Sequence, residues 1–273
     1  MAESIIVQLS DLHLAAPGEL PYGTDTAGNL RRVAKALWAM DVRPSAIVLS
    51  GDLSDRGDAA SYEQLRDLVA EELDPFGCPV LAVLGNHDDR LQFRRTVLGE
   101  EAPAEGVDEP FTHVLDLDDV RLVLCDSHWR GHVEGLLGEA QLAWLDEQLA
   151  GAGERPSVIV VHHLSVPRGV PRADDYLLED RADFAEVVAR HRVAAVLCGH
   201  SHVTTAAAWA GTLHAAAPAV AFQLDPSART GGRGYEGTGF AICTMRDGLA
   251  VVNAHLLPDP GRELFDRRTS ARP

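Results

Sequence analysis

Five times along this chain a short run of apolar, mostly branched residues stops abruptly, and the residues that follow it can bind a metal or move a proton. The runs are Ser4 to Leu9, Ala46 to Leu49, Val80 to Leu84, Ser157 to Val161 and Val193 to Cys198. Each is too short and too rich in β-branched residues for a helix, so each predicts a buried strand. Between the first three lie two stretches with apolar residues at helical spacing. Asn29 to Met40 carries Leu30, Val33, Ala34, Leu37 and Trp38, and Ala59 to Leu73 carries Tyr62, Leu65, Leu68 and Val69. Strand, loop and helix in repeated succession predict a largely parallel sheet with right-handed crossovers, an α/β architecture. In such sheets ligands sit outside the carboxyl ends of the strands, where the five polar stretches would meet.

The second half changes character. Thr112 to Leu117 and Val120 to Cys125 flank Asp118 and Asp119 as a hairpin would. Gln141 to Leu149 and Asp183 to Arg190 read as short helices. Thr204 to Trp209, Leu213 to Ala217, Phe240 to Met245 and Leu249 to His255 read as strands joined by Gly-containing turns, which predicts a mainly antiparallel second half. No internal repeat or linker composition precedes the cluster of Pro258, Pro260 and Gly261. The expectation is one catalytic domain over residues 1–257 and a mobile C-terminal tail over 258–273.

Composition narrows the function classes. A formal net charge of −17 argues against binding a nucleic acid polymer, which needs clustered Lys and Arg. Cys78, Cys125, Cys198 and Cys243 lie far apart in apolar stretches, as reduced core thiols of a cytoplasmic protein do, and offer no zinc-thiolate site. No stretch approaches the roughly 20 apolar residues of a membrane span, and no basic, leader-like segment opens the chain.

The strand ends carry Asp11 with His13, Asp52, Asn86 with His87, His162 beside His163, and His200 with His202. Imidazole, carboxylate and amide oxygen without thiolate suit Mn, Fe or Zn, and a shared carboxylate allows two ions about 3.5–4 Å apart. Asp52 is the candidate bridge. The i, i+2 pairs Asp11/His13 and His200/His202 would share one side of an extended segment. Two carboxylates against two divalent cations leave about +2 in the pocket, which would attract a phosphate, and a water between the ions would lose a proton near neutral pH and attack phosphorus in line. His128, Trp129 and His132 follow the Val120 to Cys125 strand at the same edge, within the stretch from Ser127 to Gly135. Together with Tyr22 and Tyr235 they are candidates for contact with a nucleobase. His163 reads as a supporting residue; His113, His191, His214 and His255 have no partner spacing and read as structural.

Asp11-x-His13, Gly51-Asp52-x2-Asp55-x-Gly57, Gly85-Asn86-His87-Asp88, His162 and Gly199-His200-x-His202 resemble, in order, the five signature blocks of the calcineurin-like metallophosphoesterases. The resemblance runs from residue 4 to about residue 217. Within that superfamily the chain is similar to the bacterial class III cyclic-nucleotide phosphodiesterases, and slightly less so to glycerophosphodiesterases of the same layout. Tyr22-Gly23, the run GNHDDR over 85–90 and the paired His162 and His163 carry that placement. One departure is Leu164-Ser165, where the family often has two prolines.

The resemblance implies an αββα sandwich of two mixed β-sheets flanked by helices, with two divalent or mixed-valence transition metal ions. By position, Asp11, His13 and His202 would hold the first ion, Asn86, His162 and His200 the second, and Asp52 both. His87 would face the substrate phosphate, stabilising it or protonating the leaving alkoxide, with Asp55 orienting it; Asn86 would share that contact. Arg56 resembles the phosphate-contacting Arg of the protein Ser/Thr phosphatases. The implied reaction is hydrolysis of a 3′,5′-cyclic nucleotide such as cAMP to the 5′-monophosphate. Glycerophosphodiesters and 2′,3′-cyclic nucleotides are alternative substrates, and a non-catalytic scaffold is a remote alternative. Oligomeric relatives of this layout make a homodimer the implied assembly.

Overall fold

The computed structural model describes residues 3–101, 109–169, 176–227, 232–258 and 263–266. The first predicted unit is strand β1 (Glu3–Leu9), helix α1 (Thr26–Ala39) and strand β2 (Ala46–Ser50), followed by α2 (Ala59–Leu68) and β3 (Val80–Val83). Asp25 and Asp58 cap the two helices by accepting from the amides of Gly28 and Ser61. The predicted helix over 59–73 ends in a wider turn at Val69–Leu73. A short helix that periodicity did not predict, α3 (Arg90–Thr96), is capped by Asp89.

β4 (His113–Asp116) and β5 (Arg121–Cys125) form the expected hairpin. The chain continues through α4 (Gly138–Ala150), β6 (Ser157–Val161), α5 (Arg181–Ala189), β7 (Val193–Cys198), β8 (Thr205–Trp209) and β9 (Thr212–Ala216). It closes with β10 (Gln223–Leu224), β11 (Arg233–Tyr235), β12 (Gly239–Arg246), β13 (Leu249–Leu256) and β14 (Glu263–Asp266).

The larger strands form two mixed sheets. One has the order β13-β12-β1-β2-β3, with β1, β2 and β3 parallel and β12 and β13 antiparallel; the other has the order β4-β5-β6-β7-β9-β8. In the second sheet β5, β6, β7 and β9 run parallel, and only its edge strands β4 and β8 are antiparallel. The expectation of a mainly antiparallel second half is corrected here. α4 and α5 are crossover helices, so the strands they join return in the same direction.

Side-chain alternation builds three apolar layers. Val7 and Leu9, with Ile47 and Leu49, face α1 and α2, whereas Ile6, Ala46 and Val48 face the other sheet. Val123, Ile159 and Val196 pack toward α4 and α5, while Leu122, Val158 and Ala195 turn inward against the first sheet. The period of two puts one set of side chains between the sheets and another under the helices on each outer face, which makes the αββα sandwich. Buried Gln8 joins the two sheets by donating from Nε2 to Ser50 Oγ at 2.9 Å and to the Cys198 carbonyl at 2.8 Å.

β10, β11 and β14 make a small third sheet. Residues 263–266, expected within the mobile tail, thus pair with β11; the tail's 259–262 and 267–273 lie outside the described residues. Among the described residues no helix is long and apolar enough to cross a membrane.

Candidate active site

The parallel pairing of β1 and β2 does not stop where the strands end. Asp11 N donates to Gly51 O at 3.0 Å, His13 N to Asp52 O at 2.9 Å and Leu14 N to Leu53 O at 3.1 Å. The two loops therefore run side by side, and Asp11, His13 and Asp52 leave the sheet edge together. A similar bond from Gly199 N to His162 O, 2.9 Å, ties the ends of β7 and β6. The segment after β9 crosses to the first sheet, with Val220 N on Ser10 O and Ala221 N on Asp11 O. With His162 Nδ1 on Ser50 O and the His87 amide on Asp52 Oδ1, all five predicted strand ends reach one place.

The expected extended backbone at the i, i+2 pairs is not what the structure holds. Asp11, His13, Asp52, His200 and His202 all have positive φ, between 43° and 66°. Left-handed residues other than Gly cost about 1–3 kcal/mol each, so five at one site mark a backbone held by its surroundings. Close approach also requires two glycines. A Cβ on Gly51, itself at φ +92°, would lie 2.2 Å from His162 Nδ1, and one on Gly85 would lie 2.3 Å from Asp52 Oδ1.

Asp11, His13, Asp52 and His202 are buried and bring one ligand atom each within 4.8 Å of one another. Tautomers follow from the carbonyl acceptors, because a carbonyl cannot donate. His202 Nδ1 donates to Phe222 O at 2.9 Å, and His13 Nδ1 donates to Asp55 Oδ1 at 3.3 Å. Their Nε2 atoms consequently face each other, 3.0 Å apart, both with lone pairs. His162 Nδ1 donates to Ser50 O at 2.8 Å, which aims Nε2 at Asp52 Oδ2, 3.4 Å away. The same Oδ2 is 3.6 Å from His13 Nε2, so one carboxylate oxygen lies between the two halves of the cluster. Asp52 Oδ1 accepts from the His87 amide at 2.9 Å.

The second half is defined by what its atoms lack. Asn86 Oδ1, His162 Nε2 and His200 Nδ1 are buried with no hydrogen-bond partner among the described residues. Three such atoms from the three residues assigned to the second ion fit a ligand that accepts lone pairs, and the donor set suits a transition metal. His163 belongs to another proximate group with His162 and His200. Both of its nitrogens are engaged, Nδ1 with Ser127 Oγ at 2.8 Å and Nε2 with Val133 O at 3.1 Å, which fits a supporting role.

The electrostatics ask for positive charge. Burial pushes His200 down to about 3 and His202 down to about 4, keeping both imidazoles neutral. Burial acts the same way on His162, but Asp52, Asp11 and the Ser50 carbonyl outweigh it and raise that histidine to about 9. His162 and His87 hold Asp52 well below the usual carboxylate range against its burial. The pull of Asp52 and Asp11 on His162 shows that the site favours positive charge beside Asp52.

Sequence reasoning missed Asp88. Its buried carboxylate accepts from Leu53 N, Ser54 N and Gly85 N, and from the Tyr62 hydroxyl, joining the loops after β2 and β3. Phe222, which packs 4.4 Å from the His202 ring, was missed as well. Asp55 does not orient His87 with its side chain: the carboxylate holds His13, and the main-chain carbonyl accepts from His87 Nδ1 at 2.8 Å.

The remaining candidates divide. Tyr22 lies edge-on to His13, with ring centroids 6.5 Å apart. Arg56 is exposed and pairs with Glu19 at 3.1 Å and Asp55 at 3.6 Å. His128 is buried behind the site, where Arg90 donates to its carbonyl and to Asp126. His132 stacks on Trp129 at the exposed rim, and Tyr235 sits on β11 under Arg233. His191 pairs with Asp146, His214 accepts from Ser165 N, and His255 stacks on Phe240.

Three similarities accompany this geometry. A "probable cyclic nucleotide phosphodiesterase" of Rhodococcus erythropolis is 36% identical over 233 residues, covering 85% of this chain and 76% of that protein. A "glycerophosphodiester phosphodiesterase" of Enterobacter lignolyticus is 29% identical, covering 81% of this chain and 78% of its own length. In fold, a dimetal phosphatase from Danio rerio superposes with a TM-score of 0.68 over 96% of this chain and 97% of that one, at 16% identity. The calcineurin-like phosphoesterase family pattern matches residues 5–204, and the chain belongs to that family.

Proposed function

We propose that the chain is a two-metal phosphodiesterase that opens 3′,5′-cyclic nucleotides to nucleoside 5′-monophosphates. The observation that carries this reading is Asp52 Oδ2 lying between His13 Nε2 and His162 Nε2, with Asn86 Oδ1 and His200 Nδ1 buried and unpartnered beside it. Asp11, His13 and His202 would hold one ion, Asn86, His162 and His200 the other, and Asp52 both. When bound, the two ions supply Lewis acidity toward phosphoryl oxygens and a water acidic enough to lose a proton near neutral pH.

The chain's own contribution lies in His87. Its amide is fixed on Asp52 and its Nδ1–H on the Asp55 carbonyl, so Nε2 is the nitrogen left for the substrate. Asp52 and the Asp55 carbonyl raise the pKa of His87 against its burial, so the ring can carry a second proton on Nε2, contact the phosphate as an imidazolium and pass that proton to the departing 3′ oxygen as the P–O3′ bond breaks. Asp55 orients His13, and so acts on the first ion rather than on the leaving group. Preference for a cyclic nucleotide over a glycerophosphodiester is supported by the higher identity to the relative of that name.

The test is kcat/KM for 3′,5′-cAMP, 2′,3′-cAMP, a glycerophosphodiester and a monoester on one Mn-loaded preparation, with bound metal counted. The cyclic 3′,5′ substrate is expected to lead. His87→Ala should keep its metal and lose roughly 10²–10⁴ in rate, whereas Asp52→Ala should lose both. A protein that binds no transition metal and turns over no diester refutes the reading. A monoester favoured by orders of magnitude refutes the diesterase assignment.

A further inference from the structure

Tyr22 and Phe222 form an aromatic wall beside His13 and His202 that the proposed chemistry leaves unused. Their ring centroids are 4.8 Å apart; Phe222 lies 4.4 Å from the His202 ring and 6.0 Å from that of His13. Phe222 is 5% exposed, and its carbonyl fixes His202, so it cannot move without moving a ligand. Tyr22 by contrast is 42% exposed although it borders a ligand that is 2% exposed.

The backbone holds Tyr22 in place. It sits at φ 52° and ψ 21° between buried Pro21 and Gly23, in a turn closed by Gly23 N on Leu20 O and Thr24 N on Pro21 O, both 2.9 Å. A bulky residue in the left-handed region is strained, and here that conformation accompanies an exposed ring at the edge of the first ion's site.

We propose that Tyr22, backed by Phe222, is the surface on which the base of a bound nucleotide stacks, and that it sets preference for nucleotides over diesters that lack a ring. The inference rests on the phosphodiesterase reading for the phosphate's position. The chemistry recognised is an aromatic face, which every base presents. Trp129, stacked on His132 at 3.4 Å with planes 4° apart, is the competing platform, and the experiment separates the two.

The experiment is calorimetric binding of adenosine 5′-monophosphate and ribose 5-phosphate to the Mn-loaded full chain, two ligands that differ only in the base. Base stacking predicts that the wild type binds the nucleotide roughly five- to a hundredfold more tightly. Tyr22→Ala should bring the ratio close to one by weakening the nucleotide alone, while Tyr22→Phe keeps it; bound metal and melting temperature are measured on both variants. Equal affinities in the wild type, or an unchanged ratio in Tyr22→Ala, would overturn the proposal. So would a ratio that survives Tyr22→Ala and disappears in Trp129→Ala. Because binding is read without turnover, a chain that stacks the base but cleaves no diester would sink the proposed function and leave this inference standing.

Discussion

Replacing Asp88 by Asn is the sharpest test of how the site is held. The carboxylate receives four donors: Leu53 N at 3.1 Å and Gly85 N at 2.8 Å on Oδ2, and Ser54 N at 3.1 Å and Tyr62 OH at 3.0 Å on Oδ1. An amide keeps only one accepting oxygen. If its NH2 replaces Oδ1, the Tyr62 hydroxyl can rotate to accept, but the Ser54 amide is left facing a donor. One buried orphan costs about 1–3 kcal/mol, and the two bonds that remain lose their charge assistance. Removing a buried charge close to Asp52 offsets part of this, so the net loss is about 2 kcal/mol. Asp88→Ala strands three backbone amides and should lose about 4 kcal/mol. Urea unfolding of chelator-treated protein measures both, and bound metal is counted separately after reloading. Weaker metal uptake is expected in each variant, because Asp88 ties the loop bearing Asp52 to the loop bearing Asn86. An Asn variant within about 0.5 kcal/mol of the wild type would refute the hub.

Two further expectations follow from other contacts. Gly85→Ala puts a Cβ 2.4 Å from Asp52 N and 2.7 Å from His162 Nε2, so the variant should fold but bind less than its full complement of metal; full stoichiometry by elemental analysis would contradict this. His214 gives a pH effect away from the ligands, since burial pushes it from 6.5 down to about 4. The folded state resists that proton, so the stability it contributes is complete above pH 6.5 and is lost as pH falls toward 4. The loss amounts to about 3 kcal/mol. His214→Gln, whose oxygen can still accept from Ser165 N, should flatten the pH 4–7 slope of unfolding stability, and parallel slopes for the two proteins would rule the assignment out.

What the sequence disclosed was whatever repeats locally. Short runs of apolar, mostly branched residues marked β1, β2, β6 and β7, and the abrupt polar ends marked the loops where the ligands lie. α3 escaped because its seven residues are mostly polar and its cap is Asp89, already noticed for another reason. β10, β11 and β14 are two to four residues long, too short to show a period. Strand direction in the second sheet was misread because turn composition does not reveal that α4 and α5 are crossovers. The sign of φ at Asp11 or His202 is equally invisible, since nothing in an Asp or His announces a left-handed backbone. The pairing of Asp55 with His87 runs through its main-chain carbonyl while its carboxylate serves His13, a division that residue type does not reveal. Phe222 and Gln8 act on elements far away in sequence, and no local pattern points to them.

The charge balance explains why these particular loops are held so firmly. A chain of net charge −17 repels an anionic substrate everywhere except where it can present cations. At the strand ends it buries Asp11 and Asp52 among imidazoles, of which His200 and His202 stay neutral because a buried charge without a partner is costly. The His13 and His202 lone pairs face each other at 3.0 Å with no proton donor between them. Each ring is fixed from behind, His13 by Asp55 and His202 by Phe222 O, so both lone pairs are held toward the place where a cation would sit. Rigid backing and unsatisfied fronts are complementary: a looser frame would let the histidines turn and satisfy themselves, and the attraction for metal, and through metal for phosphate, would disappear.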